Sequence, residues 1–190
     1  MNPDLEKRMY FFVPYNISPI QQAIQAGHAA LEYAVKFGDT ELFKDFANVW
    51  KTWIILNGGT TNSKRDFDAV SQGSLNQIAD QLSLGDGISG GIDHAYFCEP
   101  DLNDALTAVY FICDERVFNY EGYPEFWEWI PYQEIVIEKE KLASFTNVKD
   151  NTEEELRKMF PTMFKVWILD VMGSEENFFL RKLLKGKKLA

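Results

Sequence analysis

Short apolar runs alternate along this chain with segments whose apolar residues recur every three or four positions. Residues 9–14 (MYFFVP) form a continuous aromatic and aliphatic run stopped by proline, the pattern of a buried strand. Ser18 then reads as an N-cap, Pro19 as the first helical residue, and Gln21 completes a capping box. Ile20, Ile24, Gly27, Leu31 and Val35 follow at helical spacing. They predict a helix packed through those residues, with Gly27 and its neighbouring alanines admitting a close backbone and Gly38 as the stop. A second helix is expected at 40–49, capped by Asp39 or Thr40. A second strand is expected at 50–56 (WKTWIIL), ended by Asn57-Gly58-Gly59. Residues 75–84 (LNQIADQLSL) make a short amphipathic helix. Residues 94–98 (HAYFC) and 108–113 (AVYFIC) make two further strands, joined by the polar loop 99–107 (EPDLNDALT).

This order of strands and helices predicts a three-layer α/β/α domain over residues 8–117, built on a mixed, mostly four-stranded sheet. After residue 117 the pattern changes. Residues 118–190 read as an α+β extension packed on the first domain, because its aromatics need cover. Residues 119–131 (NYEGYPEFWEWIP) are aromatic and acidic, and 134–138 (EIVIE) alternate like a strand. Thr152 and Glu155 form a capping box that opens a helix over 152–159. Residues 164–171 (FKVWILDV) fit either a strand or a buried helical turn. Residues 177–185 read as a basic amphipathic helix.

Composition narrows the classes. A chain of 190 residues with 46% hydrophobic and 15% aromatic content has the material for a packed core. No apolar run approaches the ~20 residues that span a bilayer, and the opening MNPDLEKR lacks a signal-peptide core. Two cysteines, Cys98 and Cys113, imply no disulfide framework and no zinc spacing, and the expected setting is the cytoplasm. The net charge of -10 disfavours a large basic surface. The exception is the end of the chain, where Arg181, Lys182, Lys185, Lys187 and Lys188 stand in the last ten positions. They form either a solvated tail or a contact for a nucleic acid or acidic partner.

The candidate chemistry lies in two places. On the first helix Gln21, Gln25, His28 and Glu32 form a polar seam. His28 is one of two histidines. It suits a general base, or it fixes the helix to the sheet by a hydrogen bond. Gln25, one turn earlier, is placed to orient a carbonyl or to face solvent. In the loop 99–107, Glu99, Asp101, Asp104 and Thr107 form a compact acidic cluster or, equally, an ordinary turn. His94 reads as a strand-boundary residue. Asn57 to Lys64 offer glycines and hydroxyls after a strand, as in phosphate-binding turns, without a Walker pattern. Trp127, Trp129 and Tyr132 fit a partner surface or the core of the extension. No metal-ligand or cofactor motif is present.

The strand, the helix carrying Gln25-Ala26-Gly27-His28-Ala29 and the loop ending in Thr107 before the last strand together resemble the type II peptidyl-tRNA hydrolases. That family carries Gln-Cys-Ser-His-Ala on its first helix and an aspartate with two threonines in its last loop. The resemblance covers about residues 8–117. It implies that Glu99 stands for the aspartate, Asn103 for the first threonine and Thr107 for the second. The family's loop before the helix is rich in glycine and lysine, whereas Asn16-Ile17-Ser18-Pro19-Ile20-Gln21 holds no lysine. The resemblance implies hydrolysis of an ester or amide such as that of peptidyl-tRNA. His28, Glu99 and Thr107 would be catalytic, and Gln25, Asn103, Asn16 and Asn57 would bind substrate. No metal or other cofactor is implied. The alternative is a catalytically degenerate interaction module that contacts a protein or nucleic acid through the extension or tail. Expected partners are tRNA or another macromolecule, without a membrane, and an oligomer is compatible with the sequence.

Overall fold

The computed structural model describes residues 5–62, 72–85, 88, 91–130 and 152–190. The strand expected at 134–138, together with Ser63, Lys64 and Tyr132, lies outside them. The first unit comprises Met1–Glu115 and Phe179–Ala190, and the second Arg116–Phe178.

The first unit is an α/β fold on one mixed sheet. Its elements are β1 (Lys7–Pro14), α1 (Pro19–Phe37), α2 (Glu41–Asp45) running into a π turn (Phe46–Trp50), and β2 (Thr52–Gly59). There follow α3 (Ser74–Leu84), β3 (His94–Glu99), a 3-10 turn (Pro100–Leu102) and β4 (Ala105–Asp114). The strand order is β2-β1-β4-β3. β1 runs parallel to β2 and antiparallel to β4, and β3 runs antiparallel to β4. The carboxyl ends of β1, β2 and β3 therefore share one edge of the sheet with the amino end of β4. Functional groups in α/β sheets gather at such carboxyl edges.

α1 begins as its sequence dictates. Ser18 and Gln21 exchange both bonds of the capping box, with Pro19 at the first position. Its buried face differs from the expected one. Gln22, Gln25, Ala26, Ala29 and Tyr33 are buried, while Ile20, Ile24, Leu31 and Val35 are exposed, Val35 at 85%. A Cβ added at Gly27 would meet nothing within 4 Å, so no neighbouring backbone lies against it. The reason is the bulk on the sheet. Met9, Phe11, Val13, Tyr110 and Ile112 fill the space under α1, and only the alanine stripe lets the helix close on them. Gln22 shares that stripe and donates to Pro14 O at 3.2 Å, which ties down the β1–α1 turn.

α3 covers the other sheet face with Leu75, Ile78 and Leu82. Gly58 is required where β2 meets α3. A Cβ there would stand 2.8 Å from Leu75 Cδ1 and 3.1 Å from Val13 O. The C-terminal residues pair with the outer edge of β2 instead of running free. Leu189 bridges Leu56, Asn57 N donates to Lys188 O (2.9 Å), and Ala190 N donates to Ile55 O (3.1 Å). This covers an otherwise open sheet edge.

Within the second unit, α4 (Glu115–Phe118), α5 (Phe126–Trp129), α6 (Glu153–Met159) and α7 (Pro161–Trp167) precede a π turn (Ile168–Met172). α8 (Glu175–Leu184) passes from this unit into the first. The open choice at 164–171 is settled as helix. Phe126, Phe164, Trp167 and Phe178 form the aromatic core, and Trp127 and Trp129 pack against it half-buried. Trp167 Nε1 donates to Pro124 O at 3.1 Å, which satisfies its one polar atom. No helix among the described residues is long and apolar enough to cross a membrane.

Candidate functional site

One irregularity in the β3–β4 ladder makes the site. Phe97 pairs with Ala108, but Cys98 pairs with Leu106. Thr107 is thus an extra residue, a β-bulge. Simple alternation would put Thr107 on the face of Val109, away from α1. The bulge turns it to the α1 face, beside Ala108.

Opposite it stands Gln25, 7% exposed on the buried stripe of α1. Thr107 Oγ1 donates to Gln25 Oε1 at 2.6 Å, and Gln25 Nε2 donates to Glu99 Oε2 at 2.7 Å. A carboxylate only accepts, so the amide orientation follows from its neighbours. The three side chains make one chain of bonds joining the first helix, the end of β3 and the start of β4. Glu99 keeps its other oxygen without a partner among the described residues.

His28 forms the next rung, one helical turn on from Gln25. Its ring lies 4.7 Å from that of Phe97 at 58°. Phe97 is two residues before Glu99 on the same strand face, so the Gln25–Glu99 and His28–Phe97 pairs are successive rungs between α1 and β3. Lys36 Nζ to His94 O, at 3.2 Å, is a third. His28 Nδ1 is buried and has no hydrogen-bond partner among the described residues. The arrangement therefore presents an acceptor carboxylate, an imidazole and a buried hydroxyl on one face.

The other expected site residues do not join this group. Asn16 is exposed in the β1–α1 turn. Asn57 Oδ1 accepts from Gly59 N at 2.8 Å, closing its own turn. Asn103 is exposed at φ 59°, a left-handed turn position. Asp101 is exposed on the 3-10 turn, and Asp104 lines a groove on the α3 side. The compact acidic cluster expected at 99–107 is thus dispersed: Glu99 and Thr107 face α1, and neither Asp101 nor Asp104 joins them. Nor is the 57–62 turn an open phosphate cradle. Gly59 N is bonded to Asn57, and Thr60 N donates to Ser74 Oγ at 3.0 Å. Among the described residues no three His, Cys, Asp or Glu side chains are placed to hold a metal ion.

Sequence reasoning passed over a second polar group on the α3 face. His94 does open β3, but its ring is engaged. Nδ1 lies 2.7 Å from Ile92 O, and Nε2 lies 3.2 Å from Ser83 Oγ. Burial, with Lys36 contributing, holds its pKa below the usual histidine value, while the bond to Ile92 opposes the shift. Asn76 is 4% exposed on the apolar stripe of α3. An asparagine beside Leu75 within the 75/78/82 pattern was the available signal. Comparison with protein-family models, with curated proteins and with solved structures finds no significant match.

Proposed function

We propose that this protein hydrolyses an ester or amide bond, such as that of peptidyl-tRNA, in the manner of the type II peptidyl-tRNA hydrolases it resembles. The observation that carries the reading is the Gln25 amide bonded at once to Glu99 and Thr107. They are three of the seven positions to which the resemblance gives roles, drawn from segments more than seventy residues apart.

In this scheme His28 is the general base that takes a proton from the attacking water. Glu99, fixed by Gln25, orients that water through its free oxygen. Thr107 holds Gln25 so that the amide stays aimed. The loop before α1 supplies no cation for an RNA phosphate, but the tail does. Lys187 Nζ lies over the Phe12 ring at 5.6 Å, and Lys188 stands opposite Asn57. Both are exposed, at the carboxyl edge of β2. That edge is two strand spacings, ~10 Å, from β4, within reach of one RNA end. Cytoplasmic action follows from this substrate.

The test is release of peptide from peptidyl-tRNA by the purified chain, beside His28→Ala and Glu99→Gln. Turnover lost in both variants supports the reading, and absence of turnover at high enzyme concentration defeats it.

A second reading rests on a separate observation. Ile20, Ile24, Leu31 and Val35 give α1 an uncovered aliphatic stripe, the kind of surface on which a binding module meets a macromolecule. Under it, Leu31→Glu abolishes partner binding while His28→Ala does not, and the reverse result assigns the function to the polar rungs.

A further inference from the structure

Ile20, Ile24, Leu31 and Val35 stand on the outer side of α1, 74%, 47%, 68% and 85% exposed. At about 100° of rotation per residue they fall within an arc of about 60°, centred opposite the buried Ala26–Ala29 stripe. Together they leave about 500 Å² of aliphatic surface in water, the size of the largest patches on monomers and over half of the ~800 Å² a side that a standard interface buries. Their spacing has a second property. Steps of four, seven and four residues read the same from either end of the helix. Two copies of α1 laid antiparallel about a two-fold axis between Gly27 and His28 therefore set Ile20 against Val35 and Ile24 against Leu31, each pair twice. A two-fold interface demands this self-complementarity, and a face made for a different partner has no need of it.

Gly27 points the same way. Glycine in mid-helix weakens the helix, and the chain's own packing does not require it, because a Cβ there meets nothing within 4 Å. At the centre of a helix crossing, a missing side chain lets the two backbones approach closely. Charge agrees as well. α1 carries one acid, Glu32, and one base, Lys36, in a chain of net charge -10. A strongly charged partner finds no complement along this helix. In the antiparallel pair Glu32 lies opposite Ala23 and Lys36 opposite Pro19, so like charges do not meet. The amino end of each helix also lies beside the carboxyl end of the other, the favourable alignment of their dipoles.

We infer that this stripe seats the same stripe of a second copy of the chain, in an antiparallel two-fold dimer that crosses at Gly27. The dimer rests on the reading of α1 as a binding surface and gives that surface its occupant. Four aliphatic side chains a copy make a small interface, with a dissociation constant on the order of 20 µM.

Sedimentation equilibrium of the full chain between about 2 and about 200 µM tests the pairing. The mass is expected to rise from 22.0 kDa toward twice that value and no further. Leu31→Glu and Ile24→Lys, both at exposed positions, should each weaken the association at least about tenfold. Gly27→Gln should do the same while the helix itself gains stability. The two charged variants also read the register. Mixed in equal amounts they restore association, because the new base on one copy then faces the new acid on the other. The pairing is overturned if the parent stays monomeric at about 200 µM, if growth passes the dimer, if Leu31→Glu or Gly27→Gln associates as the parent does, or if the mixture associates no better than either charged variant by itself. The binding-surface reading falls by a different result, capture of a partner that Leu31→Glu leaves intact. No readout uses substrate turnover, so the hydrolase reading stands or falls separately.

Discussion

Thr107 donates its hydroxyl proton to Gln25 at 2.6 Å across 82 positions of chain, and it does so because a one-residue bulge in β4 turns it toward α1. Both partners are buried, so each would be left unmet without the other. Thr107→Val should cost about 1–3 kcal/mol, and Gln25→Leu a similar amount. The double variant should cost less than the sum, because the hydroxyl and the amide oxygen leave together, while the part-exposed Glu99 that loses Gln25 can meet water. Urea unfolding of the four proteins measures this, and strict additivity would show that the bond carries no coupling.

Lys7 offers a sharper case. Its ammonium is fully buried, donates to Leu5 O at 3.0 Å and pairs with Asp45 at 3.0 Å. Removing the acid strands a charge in the core. Asp45→Ala is therefore expected to destabilise by about 3 kcal/mol, whereas Lys7→Met should cost under about 1.5 kcal/mol because Asp45 is part-exposed and can be solvated. Thermal unfolding of both variants decides it.

The sequence made the elements legible because their signals are local. The capping boxes at Ser18 and Thr152 hold as expected, and the aromatic runs became β1, β3 and β4. The face of α1 was not legible. Ile20, Ile24, Leu31 and Val35 look like a core stripe by spacing alone, and the choice of the Ala26–Ala29 stripe depends on Phe11 and Tyr110, which belong to other strands. Gln25 and Thr107 were nameable from motif and position, but their bond depends on a bulge that no alternation pattern announces. The acidic loop misled for the same reason. Its carboxylates are neighbours in sequence, yet Glu99 ends a strand on one sheet face and Asp104 serves the other.

That correction is itself testable. Leu31→Glu and Val35→Glu should each change stability by no more than about 0.5 kcal/mol, since both side chains already meet water. Ala29→Glu, at a position with no exposure, should abolish folding. Circular dichroism melts distinguish these outcomes, and a large loss at Leu31 would restore the stripe to the core.

His94 sets a pH dependence. Its pKa is lowered in the fold chiefly by burial, so the unfolded chain takes up its proton first. Stability from this group is complete above the unfolded value of about 6.5 and declines as pH falls below it. His94→Gln should flatten the stability–pH curve in that range. An unchanged slope would place the dependence elsewhere.

The central claim is that the rungs between α1 and β3 cleave an acyl bond. Single-turnover release of peptide from peptidyl-tRNA, compared between the parent chain and a folded His28→Ala variant, tests it most directly. The account predicts measurable cleavage that falls by about 100-fold or more when the imidazole is removed. Equal rates in the two proteins, or none in either, would contradict it.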